Sequence, residues 1–179
     1  MGVREISLIG DEILRKKARK VKKFDRKLHQ LIDDMVETMR DAPGIGLAAP
    51  QVGVSQRVIV VEFPEDEEDL ESNRLYEVVN PQIVFASEDI VEGEEGCLSI
   101  PDILGEVWRA QMVVLKGQDR NGKTQRLEAH DWLARVFQHE VDHLDGVLFI
   151  DHAEGPHKLR RLVLVEDEDG VERLTAVPF

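Results

Sequence analysis

The segment His139-Glu140-Val141-Asp142-His143 sets two imidazoles four residues apart, with a carboxylate beside the first. On a helix, residues i and i+4 project from one face, so both rings can reach one cation. Glu140 stands one step round, close enough to act on a water at that cation without ligating it. This is the residue set of metal-assisted hydrolysis. At about 100° per residue, Leu133, Val136, Phe137, Val141 and Leu144 share an apolar arc, and Arg135, Gln138 and Asp142 lie opposite. Glu140 falls inside the apolar arc, and the histidines lie on its flank beside Trp132. A carboxylate facing a core is costly unless it is paired or next to a cation, so a metal site is the least costly explanation.

Two histidines do not complete such a site, because a catalytic zinc-type centre wants three protein ligands and an open position. The run after His143 follows the metzincin pattern up to Gly146, but Phe149 stands where that pattern places its third ligand. Asp151, Glu154 or a residue upstream in another element are the remaining candidates. The chain has one cysteine, Cys97, within Glu95-Gly96-Cys97-Leu98-Ser99. On residue type alone it reads as a small buried hydrophobe. Its solitude rules out a disulfide within the chain and fits a reducing compartment.

Further upstream, Gly44-Ile45-Gly46-Leu47-Ala48-Ala49-Pro50-Gln51 superficially matches a dinucleotide fingerprint, with Glu62 near the expected acidic position. The context is wrong for it. A helix precedes it instead of a strand, and Pro50 with Gly53 leaves no room for the helix that should follow.

The elements that must position these residues are partly readable. Phe24, Leu28, Leu31, Ile32, Met35 and Met39 recur at helical spacing, which predicts a helix over Asp25 to Asp41, capped by Asp25 and ended by Pro43-Gly44. A second helix runs from about His130 to Asp145, with Gly146 placed to end it. Strands are expected at Arg57 to Glu62, Glu77 to Asn80, Gln82 to Phe85, Val107 to Lys116 and Thr124 to Ala129. Asp119-Arg120-Asn121-Gly122 is a hairpin turn signal. Pro64 to Glu71 reads as a solvated acidic loop, and Leu159 to Val177 as two short strands around Asp167-Glu168-Asp169-Gly170. Strands cluster between helices instead of alternating with them, which favours α+β over a parallel fold.

The chain's 179 residues suit one domain, residues 1–179, with 159–179 a strand-like tail. Hydrophobic residues make up 42% and charged residues 33%, enough for a globular core. No apolar run is long enough to span a bilayer, and Met1 to Ile9 carries no secretory signal, so no membrane association and a cytoplasmic location are expected. The formal net charge of −13 argues against a general DNA binder.

The three segments GIGLAAPQ, EGCLS and QHEVDH, in this order and at these separations, resemble the signature motifs of peptide deformylases. The resemblance runs from the N-terminal segment to about Asp151. It implies an α+β fold with antiparallel β-sheets packed around a central helix bearing the H-E-x-x-H motif. It also implies that Cys97 joins His139 and His143 as the third ligand. The implied activity is removal of the N-formyl group from the N-terminal methionine of newly made polypeptides, with release of formate.

In that chemistry Glu140 takes a proton from the attacking water and passes it to the leaving amine. The side-chain amide of Gln51 and the backbone N–H of Leu98 hold the oxyanion. Ile45 and Gly46 would lie along the peptide as a β-like edge, Gly96 would line the substrate site, and Ile45 and Val136 would line an apolar methionine pocket. Glu95 and Arg109 match positions that pair in relatives, here expected to hold the cysteine loop. The resemblance implies Fe²⁺ as the cellular ion, with Zn²⁺, Ni²⁺ or Co²⁺ able to occupy the same ligands, whereas Cys/His₂ chemistry alone suggests zinc. Nascent N-formyl-Met peptides are the implied partners, and the ribosome near its exit tunnel a further one. Many bacterial members dock there through a long C-terminal helix, sometimes basic. His157-Lys158-Leu159-Arg160-Arg161 and the strand-like tail depart from that pattern.

Two rivals remain at this level. A metalloprotease would use a downstream carboxylate as third ligand and so tolerate Cys97→Ser, and a structural metal module would close the site with a fourth protein ligand.

Overall fold

Asp25 accepts hydrogen bonds from the Lys27 and Leu28 amides and starts helix α1, Arg26–Asp41. In the computed structural model, which describes residues 2–63, 74–166 and 172–178, α1 is followed by strand β1 (Gly46–Ala48) and then by β2 (Val58–Glu62). Next come β3 (Leu75–Ala86), β4 (Ile90–Cys97), β5 (Ile100–Ala110), β6 (Met112–Gln118) and β7 (Thr124–His130). Helix α2, Asp131–Asp145, precedes the C-terminal strands β8 (Leu159–Glu166) and β9 (Glu172–Pro178). The acidic stretch Pro64 to Glu71 and the turn Asp167 to Gly170 lie outside the described residues.

One sheet has the order β1-β2-β3-β6-β7 and the other β4-β5-β8-β9, with antiparallel pairing between the neighbouring strands. β2 explains the layering. Val58 and Val60 pack with Leu28, Leu31, Ile32 and Met35 of α1, whereas Ile59 and Val61 pack with Leu133, Phe137 and Val141 of α2. A strand buried on both faces loses the apolar–polar alternation, which is why this one reads as a continuous β-branched run. Phe137 is fully buried, which on its own contributes about 2–3 kcal/mol of apolar transfer free energy. A third cluster, with Leu14, Ile100, Val107, Leu148 and Phe149, fills the space beneath the second sheet.

This is the expected α+β arrangement, with differences in detail. Val107 to Lys116 is not one strand. The chain breaks at Gln111, whose amide donates to the Asp89 carbonyl, and passes from one sheet to the other. Glu77 to Asn80 and Gln82 to Phe85 are instead parts of one strand. Pro81 falls at a register shift between Val79 and Gln82, where it need not donate to the ladder. Asn80 there has φ 54° and exchanges hydrogen bonds with the Val21 backbone. β4 was not expected, and β1 was expected only as a β-like edge at Ile45 and Gly46. α2 ends as predicted at Gly146, whose φ of 77° suits glycine and where a Cβ would press on the Arg15 carbonyl.

Candidate metal centre

α2 carries His139, Glu140 and His143 against the end of β4, where Cys97 sits at a register irregularity between β4 and β5. The ligand atoms of Cys97, His139 and His143 lie within 4.8 Å of one another. Cys97 Sγ is 3.2 Å from His143 Nε2 and accepts from the Ser99 amide and from Gln51 Nε2, at 3.4 and 3.5 Å. One soft sulfur and two imidazoles converging in a buried pocket form a donor set that fits a divalent transition metal. The downstream carboxylates are not at this cluster. Asp151 instead accepts from Arg15 and from the Leu148 amide. Phe149 is buried and stacks on the His139 ring at 6.0 Å between centroids, so it buttresses that ring in the place where another pattern would supply a ligand.

The surrounding shell is more extensive than the sequence disclosed. His139 Nδ1 lies 2.9 Å from Glu95 Oε2, an outer hydrogen bond that orients the ring and leaves Nε2 for the cluster. Glu95 also accepts from Arg109 Nε at 2.8 Å, as the pairing in relatives implied, and from Arg135 Nη1 at 3.0 Å. Burial works against the Glu95 carboxylate, but hydrogen bonds from His139 and Arg109 carry its pKa down to about 2. Arg109 reaches Asp142 as well, at 2.6 Å. Arg135, on the polar side of the wheel, is buried and donates to the carbonyls of Val91, Gly93 and Val107. No local sequence pattern signals this, because three of its acceptors are backbone carbonyls of β4 and β5 and the fourth, Glu95, is distant in sequence.

Glu140 is 3% exposed, and its Oε2 has no hydrogen-bond partner among the described residues. Burial pushes its pKa up to about 7, with His139 pulling it back and Glu95 and Asp142 adding to the rise. An unpartnered buried carboxylate oxygen is costly, and it marks a place where a ligand or water completes the bonding. His143 Nδ1 is likewise buried without a partner among those residues. Burial, and then the positive charge near His139, keep the His143 pKa well below the ordinary histidine value.

A cavity of about 410 Å³ opens beside the cluster. Ile45, Gly46, Gln51, Gly96, Leu98, Val136, His139 and Glu140 all line it, so the residues singled out in the sequence converge on one place. Gln51 is fixed by the Ala48 amide, which donates to its Oε1 at 2.8 Å, and by its own donation to Ser99 Oγ. The cavity also takes in Trp132, beside which the wheel placed the histidines, and Ile103, Leu104 and Leu162, which the sequence did not mark.

The family model for polypeptide deformylase matches residues 3–159. The chain belongs to the peptide deformylase family. A peptide deformylase of Caldicellulosiruptor bescii is 52% identical over 151 residues, covering 84% of this chain and 86% of that one. The crystal structure of the Thermotoga maritima peptide deformylase is similar at 42% identity and a TM-score of 0.78, over 86% of this chain and 99% of that one. A Met-Ala-Ser-bound class I type b peptide deformylase from Acinetobacter baumannii is 39% identical with a TM-score of 0.79, over 84% of this chain and 98% of that one. Members of this family hydrolyse the formyl amide at the N-terminal methionine of new polypeptides, and this chain is such an enzyme. No helix among the described residues is long and apolar enough to cross a membrane.

Proposed function

We propose that deformylation takes place in the cavity beside Cys97, His139 and His143, with these residues holding a single divalent cation. The observation that carries this reading is the convergence of one sulfur and two imidazoles within 4.8 Å beside a buried, unpartnered carboxylate oxygen. The cation supplies Lewis acidity, easing deprotonation of water and polarising the formyl carbonyl. Following the family, Fe²⁺ is the cellular ion, and Zn²⁺, Ni²⁺ or Co²⁺ fit the same donors.

Glu140 is the general base. It accepts a proton from the attacking water and returns it to the leaving amine nitrogen, a role served by a carboxylate near neutrality. The negative charge that develops on the formyl oxygen is met by Gln51 Nε2 and the Leu98 amide. Gln51 suits this role because Ala48 and Ser99 fix its amide before substrate arrives. β1 is an edge of the first sheet, so Ile45 and Gly46 offer backbone groups to a peptide added as a further strand. Gly96, Ile45 and Val136 line the cavity where the methionine side chain is read. Formyl is the smallest acyl group, and a narrow pocket at the cation rejects acetyl by size.

The reading places the enzyme in the cytoplasm, where a lone ligating thiolate stays reduced. Its partners are N-formyl-Met nascent chains, with the ribosome as the site of encounter. β8 and β9 are strands in the stretch where the resemblance implies a docking helix.

Metal analysis of Cys97→Ser tests the ligand assignment. The variant is expected to lose its stoichiometric metal. Full retention of metal would point to a carboxylate third ligand and overturn the assignment.

A further inference from the structure

The family match ends at residue 159, where β8 begins. β8 adds to the second sheet beside β5, with Leu159 opposite Gly105 and Arg161 opposite Ile103, and β9 forms the outer edge. Its root is fixed. Lys158 Nζ donates to Glu106 at 2.8 Å and Arg160 Nη2 to Glu94 at 2.6 Å. Residues two apart on a strand share a face, so Leu162 and Leu164 lie on one face, together with their cross-strand partners Ala176 and Leu174.

That face is continuous with the site. Leu162 lines the cavity that also holds Gly96, Leu104, His139 and Glu140. Leu164 and Leu174, opposite each other further along the hairpin, are 64% and 65% exposed. The apolar wall of the cavity therefore continues beyond it as a ribbon of leucines. Exposed edge strands are usually protected by charge, but edge strand β9 presents Leu174 beside Leu164 of β8, a contiguous apolar pair that an occupant would cover.

We propose that this face of the C-terminal hairpin extends the substrate cleft. Leu162 at the cavity wall, with Leu164 and Leu174 beyond, takes apolar side chains of the residues that follow the formyl-methionine. The proposal rests on the reading that the formyl group is cleaved in this cavity. The occupant follows from the reaction itself. Only the formyl group on the first residue is cleaved, so the rest of the polypeptide must leave across the cavity rim. An extended peptide repeats every two residues, as the leucine ribbon does, so its alternate side chains can follow the ribbon. In this proposal the contacts bind ground and transition states alike, so they act on KM instead of kcat.

The test compares formyl-Met-Ala-Ser-Ser with formyl-Met-Ala-Leu-Leu on the Ni²⁺-loaded full chain. The native enzyme should show the lower KM for the leucine peptide. Leu162→Ala, and separately the double variant Leu164→Ser/Leu174→Ser, should raise that KM by roughly fivefold to tenfold and erase the difference between the peptides. Kcat should stay within about twofold. The double variant alters mostly exposed side chains, so it reports even if Leu162→Ala folds poorly. Val165→Ser, on the opposite face, should preserve the difference. The proposal is overturned if the native enzyme does not distinguish the peptides, if the difference survives in both hairpin variants, or if Val165→Ser removes it equally. A parallel Glu140→Gln arm separates the two levels. Full activity there would overturn the reading of the cavity and the hairpin proposal with it, whereas lost activity with an unchanged peptide preference in the hairpin variants overturns the hairpin proposal alone.

Discussion

Gly46 and Glu140 are in such close apposition that a Cβ on Gly46 would collide with the Glu140 carboxylate. Edge strand β1 and helix α2 approach at the carboxylate proposed as general base. A glycine in a strand costs backbone entropy and contributes no side-chain packing, and at Gly46, the first residue of β1, the gain is room for the carboxylate.

Gly46→Ala is therefore expected to displace Glu140 while leaving the metal ligands in place. Kcat should fall by about 10²-fold or more, the range lost with a positioned general base, while metal content stays near native. Formate release together with metal analysis checks this. Native turnover in the variant would show that the carboxylate tolerates displacement.

Glu95 joins the outer nitrogen of His139 to two buried guanidiniums, those of Arg109 and Arg135. Removing its charge takes the carboxylate partner from Arg135 and leaves Arg109 with Asp142 alone. Glu95→Gln should cost about 3–5 kcal/mol of stability, as expected when one partner of a buried pair is lost. It should also weaken metal affinity by roughly 10–100-fold, through the freed imidazole. Urea unfolding and metal titration read the two effects. A loss of stability with unchanged affinity would make the contact to His139 structural only.

The N-terminal arm gives a pH-dependent prediction. Ser7 and Ile9 amides donate to the carbonyls of Gln51 and Ser99, each at 2.8 Å, so the arm backs Gln51, the proposed oxyanion donor, and the Ser99 that holds it. The arm is held by Asp34, which accepts from the Gly2 amide and from Arg4 at 3.0 and 2.9 Å. Burial opposes ionisation of Asp34, but hydrogen bonds from Gln30, Arg4 and Gly2 hold its pKa below 3.8. A depressed carboxylate pKa means that the stabilisation is complete above the ordinary value and is lost as pH falls through the lowered one. Hydrogen exchange at Ser7 and Ile9, corrected for intrinsic rates, should therefore accelerate only below about pH 4. Asp34→Asn should bring that loosening to neutral pH, and unchanged protection in this variant would contradict the assignment.

How legible these features were in the sequence depends on whether their causes are local. The face of α2 could be read because helical spacing and ligand chemistry coincide within a few residues, and Asp25 and Gly146 announce themselves by cap chemistry. β4 could not. Its run Ile90–Cys97 holds Gly93, Gly96 and several glutamates, and is extended because β5 pairs along its length. Cys97 needed the family resemblance, since nothing near it in sequence says that α2 will pack beside it. The burial of Arg135 and the approach of Leu162 to the cavity are likewise decided by distant backbone.

The most direct test of the central claim is anaerobic formate release from a formyl-Met peptide by the Fe²⁺-loaded chain, with Glu140→Ala as the comparison. The account predicts robust release by the native enzyme, and release lowered by at least about 10²-fold in the variant while its metal content remains stoichiometric. Release at the native rate by Glu140→Ala would contradict the assignment of Glu140 as the base.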